Sequence, residues 1–316
     1  MEVHLSDQEK LFLIAGAEAD IRNDGRTCRD FRQTILERGV LSGTNGSCRV
    51  QLGQTTDVLA GIKLELESYD PELEAEPKQP LKFYVDFSAN ASSQFAGKGG
   101  DDYGEELSAA FQSVYSTSLD IIPNLEKTQL AKGYRWKIYV DISVLQWAGS
   151  VADAISMAVI GALSDLEIPE VEVSPDDGGK VSIVLKRPRV GGNVKDEEVP
   201  VSMWKLDIKR CPLLLTVSKI GTTNLVDCTP EEECCIRSQL LIGLSKSDSS
   251  NDDSYAAPPP SYDITCIKQM GGGFLEMESV EQMIEIAEKA ATGLYKALEH
   301  RFKTEEARKP GYSFLL

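Results

Sequence analysis

The apolar positions within residues 134–168 change period once, and the rest of the chain is organised around that change. Tyr134, Trp136, Ile138, Val140, Ile142 and Val144 alternate with Arg135, Lys137, Asp141 and Ser143. That is the period of two that a pleated strand imposes. The run Gln146-Trp147-Ala148-Gly149-Ser150 breaks the pattern. From Val151 the spacing is helical, through Ile155, Val159, Ala162, Leu163 and Leu166, and Pro169 stops it. A strand feeding a Gly-Ser turn and a helix leaves backbone N–H groups free at the helix start, with the positive end of the dipole behind them. Two readings stay open there, a phosphate seat or a plain Ser150 N-cap, and spacing alone favours the cap.

The same patterning orders the flanks. Ser6-Asp7-Gln8-Glu9 is a capping box that opens a helix within residues 1–20, with Leu11, Phe12, Ile14 and Ala15 as its apolar face. Residues 21–26 form a charged turn, followed by Arg29 and Arg32. Ion pairs that hold the turn explain this cluster better than RNA contact. Residues 47–52 and 58–66 alternate around Gly53-Gln54-Thr55-Thr56 and predict a β-hairpin. Residues 81–87 are a further strand. Residues 95–102 then read as a Gly-rich loop, in which Gly97, Gly99 and Gly100 allow close backbone approach and Lys98 can meet a phosphate. A mobile turn is the competing reading. Asp101 or Asp102 caps the helix that carries Leu107, Ala110, Phe111, Val114 and Tyr115.

Short strands follow at 171–173, 181–185, 213–217, 224–227, 236–244 and 264–270. Residues 246–261 are Ser-, Asp- and Pro-rich, a composition that predicts a disordered insertion. Ser279-Val280-Glu281-Gln282 reads as a second capping box. The helix after it turns Val280, Met283, Ile284, Ala287, Ala290, Ala291, Leu294 and Leu298 inward, and the tail 304–316 frays. The expected fold class is α/β (α+β): two similar sheet-plus-helix halves with mixed sheets, residues 21–190 and 191–303.

Charge and cysteine count narrow the chemistry. Lys plus Arg is 33 against 50 Asp plus Glu in 316 residues, a net −17. A field of that sign repels nucleic acid, so any RNA contact needs a local basic patch or a surface shared with other chains. Seven cysteines without a CxxC read as reduced thiols, and a zinc site is not expected. Two histidines, His4 and His300, leave little room for histidine catalysis. No apolar run is long enough to span a bilayer and no signal-peptide core is visible, which predicts a cytosolic or nuclear chain.

Several short pieces then fall in a telling order: Asp24-Gly25-Arg26, Gly46-Ser47 with Leu52-Gly53, the glycines of 97–100, Leu145-Gln146 before Gly149-Ser150, and Asp227 with Glu231-Glu232-Glu233. In order and spacing, from residue 21 to 302, the chain resembles the RNase PH family, and within it the ring subunits of the RNA exosome. The resemblance implies six-membered rings with RNA threading the central pore, other RNase PH-like ring subunits and cap subunits as partners, and a nuclear, nucleolar and cytoplasmic location. It places Lys98, Gly99 and Gly100 near the RNA path.

Active members of that family degrade RNA from its 3′ end by phosphorolysis. The chemistry needs basic residues on the RNA backbone, a Gly-Ser/Thr-Arg turn for the attacking phosphate, and paired aspartates for a metal or acid role. Here Gly149 and Ser150 match the turn, but Val151 stands where the Arg is expected. Asp227 matches the first aspartate and Glu233 aligns with the second, while Gln239 stands near the place of a third acid. Asp101, Asp102, Glu105 and Glu106 replace the arginines expected after the Gly-rich loop. The expectation is a non-catalytic ring subunit with no cofactor, no metal and no catalytic residue. The alternatives are an active phosphorolytic exoribonuclease, or one surface of a composite site with a neighbour.

Overall fold

The computed structural model describes residues 5–53, 55–69, 80–95, 98–116, 121–130, 133–175, 181–187, 201–247 and 261–308. Of the insertion predicted at 246–261, residues 248–260 lie outside the described residues, as does the end of the tail at 309–316. The insertion's two ends are ordered, Lys246 closing a strand and the Ser247 amide donating to the Ser261 carbonyl at 3.1 Å.

Helix α1 (Asp7–Glu18) starts on the predicted capping box, Ser6 accepting from the Glu9 amide and Glu9 accepting from Ser6. Its inward side chains are Leu13 and Ala17, whereas Leu11 and Phe12 are about two-thirds exposed at 66% and 68%. The predicted apolar face is thus corrected. Leu11 and Phe12 belong to the helix but not to the side that packs on the body.

The first sheet contains β1 (Thr34–Arg38), β2 (Gly46–Leu52), β3 (Thr56–Ser68), β4 (Leu81–Phe87), β5 (Gln129–Leu130) and β6 (Tyr134–Gln146). Its order is β1-β2-β3-β6-β4, with β5 paired to β6. The β2–β3 hairpin is the predicted one, with Leu52 opposite Thr56. Strand β4 runs parallel to β6 and the other pairings are antiparallel, because helix α2 (Lys98–Ser116) lies in the crossover between β4 and β6. Gly104 lets α2 lie close on β4, since a Cβ there would come within 2.4 Å of the Val85 carbonyl oxygen.

Helix α3 (Val151–Asp165) follows β6 as predicted, and every residue from 151 to 163 is buried. A helix that is apolar all round belongs in a core. It packs against β1, β2 and β3 of the first sheet and against β11 of the second. After it, β7 (Ile168–Pro169) pairs with β10 (Met203–Trp204), and β8 (Val171–Pro175) with β9 (Val181–Leu185).

The second sheet holds β11 (Leu213–Ile220), β12 (Thr223–Val226), β13 (Ser238–Lys246) and β14 (Tyr262–Met270), in the order β12-β11-β13-β14. It is antiparallel throughout. The first sheet alone is therefore mixed, because only there does a helical crossover join paired strands. Helix α4 (Pro230–Glu233) is a single turn between β12 and β13. Helix α5 (Met277–Arg308) closes the fold, with Met283, Ala287, Ala291, Tyr295 and Leu298 buried.

Two boundaries of α5 differ from expectation. Ser279 lies inside the helix and is no cap; its hydroxyl accepts instead from the Lys219 ammonium at 2.8 Å. Residues 304–308 continue the helix, and Glu305 is paired with Arg38 at 2.7 Å. One hydrophobic core spans both sheets, α3 and α5.

Candidate functional site

The turn between β6 and α3 meets the connection between β12 and α4. Gly149 has φ +81°, and Ser150, next to it, has φ +48°. A Cβ at 149 would lie 2.2 Å from the Cys228 carbonyl oxygen, so the crossing of these two segments requires glycine. Thr56 ties the turn to the first sheet, accepting from the Ala148 amide at 3.1 Å and donating to the Gly149 carbonyl at 3.0 Å. Arg32 donates to the carbonyls of Ala148 at 2.6 Å and Gly149 at 3.2 Å.

Asp227 also has a positive φ, +47°, and is fully buried. Its carboxylate is clasped by Arg26 at 2.9 Å and Arg32 at 2.6 Å, and it accepts the Arg32 backbone N–H at 2.7 Å. The Asp227 carbonyl accepts from Arg22, whose guanidinium pairs with Glu232 at 2.5 Å. The charged turn at 21–32 therefore supplies ion pairs, as its composition suggested, and they hold the acid of the second half.

Helix α4 begins with a capping box of its own, Thr229 and Glu232, with Pro230 in its first turn. This turn aims Glu233 at α3, where its Oε1 accepts the Ser150 backbone N–H at 2.8 Å. Ser150 is the residue before α3 but makes no side-chain cap; its hydroxyl donates instead to the Cys228 carbonyl at 3.4 Å. Burial raises the Glu233 carboxyl to about 7, against the lowering effects of the Ser150 N–H and Arg32. Asp153, two residues into α3, accepts from the Thr216 amide and hydroxyl at 2.6 and 2.8 Å. Its Oδ2 has no partner among the described residues, and burial pushes its carboxyl well above the usual range. Burial thus favours the protonated form of Asp153.

Gly149, Ser150, Asp227 and Glu233 thus come together in space. Val151 is buried at the same helix start, so the position after Ser150 supplies no cation. The predicted Gly-rich loop is corrected: Lys98, Gly99 and Gly100 form the first turn of α2. Gly100 is buried, and a Cβ there would press on the Phe95 carbonyl at 3.0 Å, which makes it a packing glycine. Asp101 and Asp102 lie inside the helix and cap nothing; with Glu105 and Glu106 they form an exposed acidic flank.

Sequence reading missed Arg32 as the partner of Asp227, and it missed Asp153. A signal existed for the second, since Asp153 is the one ionisable residue in an otherwise apolar helix interior. The Thr-x-x-Glu spacing of 229–232 likewise announced α4.

A family model described as the 3′ exoribonuclease family matches this chain in two parts, domain 1 over residues 30–169 and domain 2 over residues 211–290. The chain belongs to the RNase PH family of 3′ exoribonucleases. Among relatives, "Putative exosome complex exonuclease RRP42" of Dictyostelium discoideum is 28% identical, over 76% of this chain and 84% of that protein. The exosome complex component Rrp42 of Methanothermobacter thermautotrophicus is 27% identical, over 86% of this chain and 91% of its own. An archaeal exosome core structure superposes with a TM-score of 0.66 at 20% identity, covering 93% of this chain and 97% of that one. The Archaeoglobus fulgidus exosome with RNA bound to the active site gives 0.67 at 19%, covering 94% and 98%. These superpositions show the shared fold.

The RNase PH resemblance also implies a metal ion on paired aspartates, and the residues here do not fit one. Both oxygens of Asp227 are taken by arginines, and Glu233 is turned onto the Ser150 amide. Among the described residues no group of three or more His, Cys, Asp or Glu is placed to hold an ion.

Proposed function

We propose that this chain is a catalytically silent ring subunit of the RNA exosome. One observation carries the reading: the Glu233 carboxyl occupies the Ser150 N–H at the start of α3, beside an apolar Val151. In the family pattern an inorganic phosphate approaches that turn and an arginine holds it. Here an internal acid is already on the turn, and the guanidinium that reaches the turn, Arg32, is paired with Asp227. A bare helix start favours an exposed anion by only about 0.3–1 kcal/mol. The RRP42-named relatives and the exosome-like fold support a place among RNase PH-like ring and cap subunits. The role follows: the chain shapes the ring and lines the path of single-stranded RNA in 3′-to-5′ processing and degradation, including rRNA maturation and mRNA turnover, in nucleus, nucleolus and cytoplasm.

The test uses the purified chain with labelled single-stranded RNA, magnesium and inorganic phosphate. No nucleoside diphosphate above the buffer control is expected, nor any from Val151→Arg, because Glu233 still holds the turn. Release that Asp227→Asn abolishes would overturn the reading.

A further inference from the structure

Beside Glu233 opens a cleft of about 430 Å³ lined by Gln94, Phe95, Tyr103, Trp147, Pro230, Glu233 and Cys234. Its walls are aromatic and well braced. Phe95 meets Trp147 edge-on at 5.6 Å and 87°, and lies nearly parallel to Tyr103 at 6.1 Å and 8°. Phe87 backs both, at 4.4 Å from Phe95 and 5.4 Å from Tyr103. The tight seating of α2 on β4, through Gly100 and Gly104, fixes Tyr103 in place.

Three polar groups at this cleft have capacity left, on Glu233, Tyr103 and Trp147. Glu233 uses Oε1 on the Ser150 amide, and its Oε2 accepts from no described residue. Neither the Tyr103 hydroxyl nor the Trp147 indole N–H has a hydrogen-bond partner among the described residues. None of the described lining residues is cationic. The nearby face of α2 adds exposed Asp101, Asp102, Glu105 and Glu106, of which Glu106 is paired with Lys268 at 3.0 Å.

We infer that this cleft is a docking site for an arginine side chain presented by a segment of another protein. Two features of the cleft call for that chemistry together. Aromatic walls take a flat, weakly hydrated cation on their faces. The carboxyl at the inner end takes N–H donors from the edge of the same plane. A lysine satisfies the charge but not the stack. A nucleotide satisfies the stack, but its phosphate meets Glu233 and the acidic flank of α2, and none of the described lining residues is a cation to receive it. The inference does not rest on the exosome reading, since it concerns only what the cleft binds.

The experiment, run at about pH 8.5 so that the Glu233 carboxyl is ionised, measures fluorescence anisotropy of a labelled, end-blocked Gly-Gly-Arg-Gly-Gly peptide titrated with the full-length protein. The same peptide with citrulline, which keeps the shape and loses the charge, is the control. Saturable binding of the arginine peptide is expected, weaker by about tenfold or more with citrulline, as loss of a charge-assisted hydrogen bond implies. Glu233→Gln keeps an oxygen for the Ser150 amide and should weaken binding to a similar extent. Trp147→Leu should weaken it by removing the ring face. Equal binding of citrulline, an unchanged Glu233→Gln, or no binding at millimolar protein overturns the inference. Displacement of the arginine peptide by uridine monophosphate overturns it in favour of a nucleotide site. Should a variant fail to fold by circular dichroism, the citrulline comparison on the unaltered chain decides.

Discussion

The Arg22 guanidinium and the Glu232 carboxylate meet at 2.5 Å with side-chain exposures of 0% and 7%, although 210 positions separate them in the chain. Arg22 also donates to the carbonyls of Val226 and Asp227, and Glu232 also closes the cap of α4. Breaking one side of a buried pair costs about 3–5 kcal/mol, because the other charge stays buried and uncompensated. Glu232→Ala should therefore lower unfolding free energy by about that amount in a urea titration. The double change Arg22→Met with Glu232→Leu should recover a large part of the loss. Near-additive losses would show that the two groups do not act as a pair.

Glu233 sets a pH dependence. The folded chain holds its proton up to about pH 7, whereas an unperturbed carboxyl releases it near 4.5. Folding thus takes up a proton between those values. The contribution is whole below about pH 4.5 and is lost as pH rises through 7, with a ceiling on the order of 3 kcal/mol. The stability of the wild type relative to Glu233→Gln should fall across pH 5–7.5 and level above it. A flat difference would place the Glu233 proton elsewhere.

Asp153 should behave as a neutral group. Asp153→Asn keeps the oxygen that accepts from Thr216 and should change stability by less than about 1 kcal/mol. Asp153→Ala strands two buried donors and leaves a gap, at a cost of about 2–4 kcal/mol. Thermal unfolding of the two variants side by side distinguishes them. Equal losses would mean that the acid is charged in the fold.

Asp227 is predicted to be a structural counter-ion to Arg26 and Arg32. Millimolar magnesium should leave the melting temperature of the wild type unchanged, and Asp227→Asn should lower it by several degrees. A magnesium-dependent rise that the variant loses would restore a metal role to this acid.

Leu11, Phe12 and Ile21 are each about two-thirds exposed, and Phe274 and Met277 still more so. Apolar surface of this kind is what an assembling subunit buries. Expressed alone, the chain should self-associate in size-exclusion chromatography with light scattering. Co-expression with an RNase PH-like ring partner should convert it to a 1:1 heterodimer. A monodisperse monomer that ignores such partners would count against the ring assignment.

Much of the fold was legible because it is written in local spacing. The shift from period two to helical spacing around Gly149 located β6 and α3. The Ser6–Glu9 pattern located α1. Two local signals misled, each for a physical reason. The glycines and acids of 98–102 are poor helix formers, but close packing of α2 on β4 needs glycine and outweighs propensity there. Ser279 fits a capping pattern, yet α5 starts earlier and Lys219 takes its hydroxyl. The site was only half legible. Gly149, Ser150, Asp227 and Glu233 stand out as a set in the sequence, but their arrangement depends on contacts between residues 78 to 195 positions apart, which no local pattern encodes.

Gly149 has a meaning separate from phosphorolysis. It is the point where the backbone of one half passes within touching distance of the backbone of the other, at the Cys228 carbonyl. A side chain there would pry the two sheets apart along their seam, whether or not the turn ever handled a phosphate. The glycine is a rivet before it is part of a reaction. In this chain the joint alone accounts for Gly149.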